Sequence, residues 1–480
     1  MTVPKGRARA AGFAIGILAF AASVIAPSPP GLPPEALRVA GVAAWMAAWW
    51  ITEVIPVAAT ALLPLVLFPL FAIAPLRDTA APYADPVVFL FLGGFMLGSA
   101  TQRWALHRRI GLGIIASVGT SPARLAGGLM LASAFLSMWV SNTATAIMML
   151  PIAVSVLALF EHRIADSRSG ENLGALLMLS VCYGASIGGI ATLIGTPPNA
   201  LLAGFMARDY GIQIGFGQWM LLGLPVSAGI LLSAWLVLTR LHPVALANMA
   251  EMKTVVVRDL RTLGPVTRAE IRVVCVLAMA ALGWIFRPLL SSFLPVLHDS
   301  IIAIAAGLAL FLLPSGMPQG GRLLVWRDMK DIPWGVLLLF GGGLSLAAAI
   351  DSSGLAAWLA GAMAVLDAWP VVLIVAAATL GMVFLTELTS NTASAATFLP
   401  FAAAVAVGLG IDPATLTVPM ALAASCAFML PVATPPNAII YASGRITIAQ
   451  MARVGLWLNF AGAAIIVLAS YLAGGVLFGK

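Results

Sequence analysis

Long apolar runs, separated by short polar or Pro/Gly-marked connections, fill the chain from Ala11 onward. A helix needs about 20 apolar residues to cross a bilayer. By that measure about eleven runs predict spans: 11–27, 36–52, 54–74, 86–102, 173–207, 217–240, 271–290, 299–314, 334–350, 414–443 and 455–477. Two further stretches, 124–160 and 369–410, are interrupted in the middle by Ser-Asn-Thr. Each is long enough to enter, turn and leave on one side, which predicts a re-entrant hairpin with its polar turn shielded inside protein. The fold expected is an all-α polytopic membrane protein of about eleven transmembrane helices plus two re-entrant hairpins.

Composition agrees with this pattern. Of 480 residues, 61% are hydrophobic and only 9% charged, too few charges to cover a soluble domain of this size. Lys5, Arg7 and Arg9 before the apolar run resemble the start of a signal peptide. More spans follow at once, so residues 1–35 are read as holding a first transmembrane helix.

The net charge of +7 acquires meaning from its distribution. With the N-terminus inside, the inner connections carry Lys5, Arg7, Arg9, Arg103, Arg108, Arg109, Arg124, Arg163, Arg168, Arg240, Lys253, Arg258, Arg261, Arg268, Arg272, Arg322, Arg327, Lys330, Arg445 and Arg453, which are 20 of the 25 basic residues. Counting either hairpin as a full span would spoil this asymmetry. The positive-inside rule therefore assigns the basic excess to topology rather than to a nucleic-acid partner. The N-terminus is expected in the cytoplasm and the C-terminus outside, in an inner (plasma) membrane. Cys182, Cys275 and Cys426 lie in apolar stretches without metal-ligand spacing, and no HExxH or Gly-x-Ser-x-Gly is present, so enzyme chemistry has little to work with.

The chain also repeats itself. Ser-Asn-Thr-Ala opens both Ser141–Pro151 and Ser390–Pro400, and Thr-Pro-Pro-Asn-Ala stands at Thr196–Ala200 and Thr434–Ala438. Glycine clusters precede each pair at Gly93–Gly94 and Gly341–Gly343. The predicted organisation is repeat 1 over 36–240 with hairpin 124–160, a cytoplasmic linker over 241–270, and repeat 2 over 271–480 with hairpin 369–410. Five crossings and one hairpin per unit turn the second copy over. Inverted repeats with broken helices are a recurring design of secondary transporters, with the site near the bilayer midplane.

At a hairpin tip, Ser, Asn and Thr stand beside a helix start whose free N–H groups favour an anion. Their oxygens also suit a small hard cation. Two consecutive prolines remove two backbone donors and open the helix at each Thr-Pro-Pro-Asn. Tripeptides of this kind also serve for helix packing, but two copies in matching positions favour a site. Neither tip nor either Pro-Pro break carries Lys or Arg. A bound dianion then lacks a fixed positive partner, and co-bound cations would supply one. This favours cation-coupled symport over exchange, with an anion channel as the reading from another class. Glu387 is expected to face water in an outer vestibule, with a proton or cation site as the alternative, and Glu53 is read as an interfacial or structural charge.

The order Ser-Asn-Thr, Thr-Pro-Pro-Asn, Ser-Asn-Thr, Ala-Thr-Pro-Pro-Asn, with Trp49–Glu53 and Met429–Ala438, resembles the divalent anion/sodium symporter family across nearly the whole chain. The resemblance implies a homodimer of scaffold and transport domains with an elevator movement, and sodium-coupled uptake of a dicarboxylate such as succinate. Exchange of dicarboxylates, or symport of sulfate or citrate, stays open beside it. It implies one sodium site at Ser137, Ser141, Asn142 and Gly195, and a second at Thr386, Thr389, Asn391 and Ala433. Substrate carboxylates would meet Asn142, Thr143, Asn391 and Thr392, helped by Thr196, Pro197, Thr434 and Pro435. No cofactor beyond sodium ions is implied. Thr389 departs from the smaller residue expected in some dicarboxylate members, which puts coupling number and substrate size in doubt.

Overall fold

A computed structural model of the chain describes residues 5–118, 121–158, 167–244, 260–318, 320–362 and 368–474. Regular structure among them is helical, apart from one isolated bridge between Pro314 and Arg322. Half of the predicted linker, the last two residues of the first hairpin and the end of the chain lie outside the described residues.

Two helices, Lys5–Ile25 and Pro34–Thr52, pair first. Gly12, Gly16 and Gly41 lie at their crossing, where an added Cβ would meet Thr52, Trp45 and Ser23 at 2.0–2.6 Å. Small residues let helices approach closely where the surrounding lipid is as apolar as the side chains. The helix ends at Glu53, exposed and with a left-handed φ of 48°, which agrees with a structural charge at a chain turn.

From there the two repeats follow one order of elements. A glycine-cluster helix (Pro86–Arg103; Trp334–Ser352) leads to a short helix (Leu106–Val118; Leu355–Ala362). Next come two hairpin arms, Pro122–Ser137 with Asn142–Ala158, and Val371–Thr386 with Asn391–Gly408. A broken helix closes each series, Ser167–Ile190 with Pro197–Tyr210, and Ala414–Ala423 with Pro435–Ala442, before a long last helix, Phe216–Leu241 or Ile448–Ala469. The short helices have no counterpart among the predicted spans. Each begins after a left-handed residue, Ala105 (φ 51°) or Gly354 (φ 82°), which turns the chain sharply after the preceding helix. The glycine clusters serve packing: a Cβ at Gly93 would strike the Ala303 backbone at 2.4 Å, and one at Gly342 the Ala61 carbonyl at 2.3 Å.

Four predicted runs are not single helices. The run 54–74 breaks into Val57–Thr60 and Leu63–Leu70, 271–290 breaks into Arg268–Ile285 and Arg287–Leu290, and 173–207 and 414–443 each divide before their Pro-Pro. Six helices among the described residues are long and apolar enough to cross a membrane by length and composition, and six more are apolar but shorter. Breaks account for part of the difference from eleven, since 54–74 and 414–443 are divided into pieces below full span length.

Burial grades across the molecule. The apolar window of Ser169–Ile190 is wholly buried, whereas those of Phe216–Leu241 and Ile448–Ala473 are only 39% and 28% buried. Leu221, Leu232, Trp457 and Leu468 are among their outward residues. An apolar perimeter around a buried central helix is the arrangement that a lipid solvent requires.

Candidate functional site

The first hairpin turns over Met138–Ser141. Val140 N–H still bonds to Leu136 O, and the second arm restarts at Asn142, with Ser141 Oγ accepting from Ala144 N–H at 3.3 Å as an N-cap. The turn lays Ser137 and Asn142 side by side, with Ser137 Oγ 2.6 Å from the end of the Asn142 carboxamide. Both arms pack on the buried helix Ser167–Ile190. That packing brings two backbone oxygens to the same carboxamide: the Asn142 amide end lies 3.2 Å from both Gly195 O and Ala185 O. The surrounding acceptors assign the nitrogen to the inward position, where it donates to Ser137 Oγ, Gly195 O and Ala185 O and draws these three oxygens together. Gly189 closes the cluster from behind, since a Cβ there would lie 2.5 Å from Asn142 Oδ1 and 3.0 Å from Gly195 O.

The second hairpin rebuilds this geometry from different residues. Thr386 Oγ1 lies 2.8 Å from Asn391 Oδ1 and 2.9 Å from Ala424 O, two acceptors within reach of its one hydroxyl hydrogen. Thr386 takes the place of Ser137 in the turn, Asn391 that of Asn142, and Ala424, from the broken helix, supplies the carbonyl. The Thr389 hydroxyl is spent locally, bonding to Leu385 O at 3.0 Å and to Ser394 Oγ at 2.5 Å. Ala433 N–H bonds back to Leu430 O.

The Thr-Pro-Pro-Asn breaks are held by their asparagines. Asn199 Nδ2 donates to the carbonyls of Gly189, Ile190 and Thr192 at 3.2, 3.2 and 2.8 Å. Asn437 Nδ2 donates to Ala427 O and Leu430 O at 3.1 and 2.9 Å, the residues ten and seven before it, as Gly189 and Thr192 are before Asn199. Both asparagines are fully buried. They satisfy carbonyls that a continuous helix would have bonded itself. Thr434 caps the second helix start by accepting from Asn437 N–H, while Thr196 makes no such cap. Thr196, Thr392 and Thr434 are buried, whereas Ser141, Asn142, Thr143, Pro197 and Asn391 are partly exposed and Pro435 is exposed.

The repeats interlock at this point. Pro197–Tyr210 of repeat 1 packs on the Asn391–Gly408 arm, and Pro435–Ala442 of repeat 2 packs on the Asn142–Ala158 arm. Cys182 Sγ, in repeat 1, donates to Asn437 Oδ1 at 2.9 Å.

Glu387 does not face a vestibule. It is 3% exposed, and its carboxylate accepts from the N–H groups of Phe428, Met429 and Leu430 at 2.7, 2.9 and 3.1 Å and from Asn459 Nδ2 at 2.8 Å. The physical reason is the unwound backbone before Thr434, whose free donors need a buried acceptor. Sequence reading missed this carboxylate's partners, the carbonyls of Ala185 and Ala424, and the locking role of the two motif asparagines. The asparagines lay inside a motif already recognised. The carbonyls left no signal in side-chain type.

A family model described as the sodium:sulfate symporter transmembrane region matches residues 8–479. The chain belongs to this family. It is therefore a member of a membrane transporter family rather than an enzyme. Among its relatives is the sodium-dependent dicarboxylate transporter SdcS of Staphylococcus saprophyticus, 39% identical over 473 residues, covering 96% of this chain and 90% of that one. SdcS of Staphylococcus aureus is 40% identical over 479 residues, covering 98% and 92%. Among solved structures, the YdaH transporter of Alcanivorax borkumensis has a similar fold, with a TM-score of 0.58 at 15% identity, covering 93% of this chain and 100% of that chain. MtrF of Neisseria gonorrhoeae scores 0.56 at 13% identity, covering 98% and 95%.

Proposed function

We propose that this family member is a sodium-coupled symporter of a C4-dicarboxylate such as succinate. The observation that carries the reading is the pair of matched oxygen clusters, Ser137–Asn142–Ala185–Gly195 and Thr386–Asn391–Ala424, one in each repeat. Neutral oxygens converging on one point suit a small hard cation, which prefers oxygen ligands. Substrate carboxylates meet Asn142, Thr143, Asn391 and Thr392 between the tips, with Thr196, Pro197, Thr434 and Pro435 completing the surround. Sodium supplies the positive charge that the tips lack. The Thr389 hydroxyl, engaged elsewhere, is not a ligand in this reading; its backbone and that of Ala433 remain in the expected second set.

The choice of dicarboxylate rests on the two relatives named for that activity, which align over nearly the full chain. The family description supports sulfate as the second substrate to test. The transport cycle is an elevator movement within a homodimer. The hairpins are re-entrant in inverted repeats, the N-terminus is cytoplasmic and the C-terminus outside. The short helices Leu106–Val118 and Leu355–Ala362, each joining a glycine-cluster helix to a hairpin, suit the connecting arms of such a movement. Labelled succinate uptake into proteoliposomes, compared in sodium and in potassium, tests the reading. Equal uptake in both salts that rises with internal dicarboxylate would identify an exchanger instead.

A further inference from the structure

The two breaks open to different extents. Ile190 ends its helix six residues before Thr196, and the residue six before Thr434 is Phe428, yet the second helix already stops at Ala423. Repeat 2 therefore unwinds five residues sooner. That earlier opening frees the Ala424 carbonyl for Thr386 and leaves the N–H groups of 428–430 without helical acceptors.

Different groups stabilise the two openings. Four residues before Asn391 stands Glu387; four before Asn142 stands Met138. In repeat 1 the Met138 carbonyl accepts from Thr192 Oγ1 at 2.7 Å, and that hydroxyl accepts from Gly195 N–H at 3.0 Å. The relay is short and neutral. In repeat 2 a carboxylate accepts three successive backbone N–H groups and the buried Asn459 amide. Four donors converging on one carboxylate, with no acceptor bonded to it among the described residues, favour its ionised form. None of the ion pairs among the described residues involves Glu387. A buried negative charge without a basic partner is costly, and a cation bound close by offsets that cost. Glu387 adjoins Thr386, a member of the second oxygen cluster.

We propose that Glu387 is a positioning residue that makes the half-sites unequal. It holds the repeat-2 break open and gives that cluster the higher sodium affinity, so that the repeat-2 half-site fills before the repeat-1 half-site. The inference rests on the reading of the two clusters as sodium sites.

The test is thermal unfolding of the purified full chain in detergent, without substrate, titrated with sodium chloride against choline chloride at constant ionic strength. Opposite charges about 4 Å apart at an effective dielectric of about 20 interact by about 4 kcal/mol, and by less farther out, so a shift of about tenfold is the effect asked of Glu387. Accordingly N391A and E387Q should raise the half-maximal sodium concentration by about tenfold. N142A should stay within about twofold of wild type, and E387D should shift less than E387Q because it keeps the charge. A merely structural role for Glu387 would lower the sodium-free unfolding temperature and leave the titration midpoint in place. An equal shift in N142A and N391A, a shift in N142A alone, or an unmoved midpoint in E387Q would overturn the proposal. If E387Q does not purify, E387D and the two asparagine variants decide it. Absence of sodium-specific stabilisation in wild type would instead overturn the sodium reading of the clusters themselves.

Discussion

A single methyl group at Gly189 tests the first oxygen cluster. The residue lies in the buried helix Ser167–Ile190, and its Cβ in Gly189→Ala would sit 2.5 Å from Asn142 Oδ1 and 3.0 Å from Gly195 O. Carbon–oxygen contacts are comfortable at about 3.3–3.6 Å, so the carboxamide must retreat by nearly 1 Å. Overpacking of this kind costs about 1–3 kcal/mol. If that cost falls on the sodium-bound arrangement, the sodium concentration for half-maximal uptake rises about 5- to 150-fold. Gly381→Ala is the control. It sits in the hairpin arm Val371–Thr386 with nothing within 4 Å of its Cβ, and replacing a helical glycine there gains up to about 1 kcal/mol in helix propensity. Sodium dependence of labelled succinate uptake in proteoliposomes should therefore shift in Gly189→Ala and not in Gly381→Ala. An unchanged sodium dependence in a correctly inserted Gly189→Ala protein would refute the role given to Asn142 and Gly195.

Further expectations follow from the same geometry. Asn142→Ala and Asn391→Ala should each abolish uptake while leaving a folded, inserted protein; saturable uptake in both would remove the two-cluster site. Asn199→Ala removes the side-chain donor from the carbonyls of Gly189 and Thr192 in a dry interior, at about 1–3 kcal/mol for each unsatisfied group, while Ile190 O keeps the Trp219 indole N–H. The variant should melt several degrees lower in detergent, and an unchanged melting temperature would contradict the locking role. Arg109 binds Glu270 at 2.7 Å and the carbonyls of Leu263, Gly264 and Pro265, tying a short connecting helix to the start of Arg268–Ile285. Arg109→Ala should destabilise by about 1–3 kcal/mol, read as a lowered melting temperature, with succinate affinity unchanged. Ala105→Gly, at a left-handed φ, should be neutral or stabilising by about 1–2 kcal/mol, whereas Gly354→Ala should destabilise by a similar amount.

The features legible in the sequence were those written in side-chain type. Ser-Asn-Thr and Thr-Pro-Pro-Asn located both hairpin tips and both breaks, because polar residues in apolar arms and paired prolines each force an irregular backbone. Ser137 contacts Asn142 and Thr386 contacts Asn391 in the fold, residues that the family resemblance had assigned to two sodium sites. Features written in the backbone were not legible. The carbonyls of Ala185 and Ala424 depend on where a helix stops, which residue types barely encode. Glu387 was misread for the same reason, since its partners are N–H groups some forty residues away that are free only because the second helix ends at Ala423. The short helices Leu106–Val118 and Leu355–Ala362 escaped span counting because they fall below spanning length.

The central claim, that paired oxygen clusters couple sodium to dianion uptake, is met most directly by one experiment. Purified protein in liposomes is given labelled succinate with an inward sodium gradient, and then with potassium replacing sodium. The account predicts saturable uptake that collapses in potassium. Uptake that is equal in the two salts would contradict it.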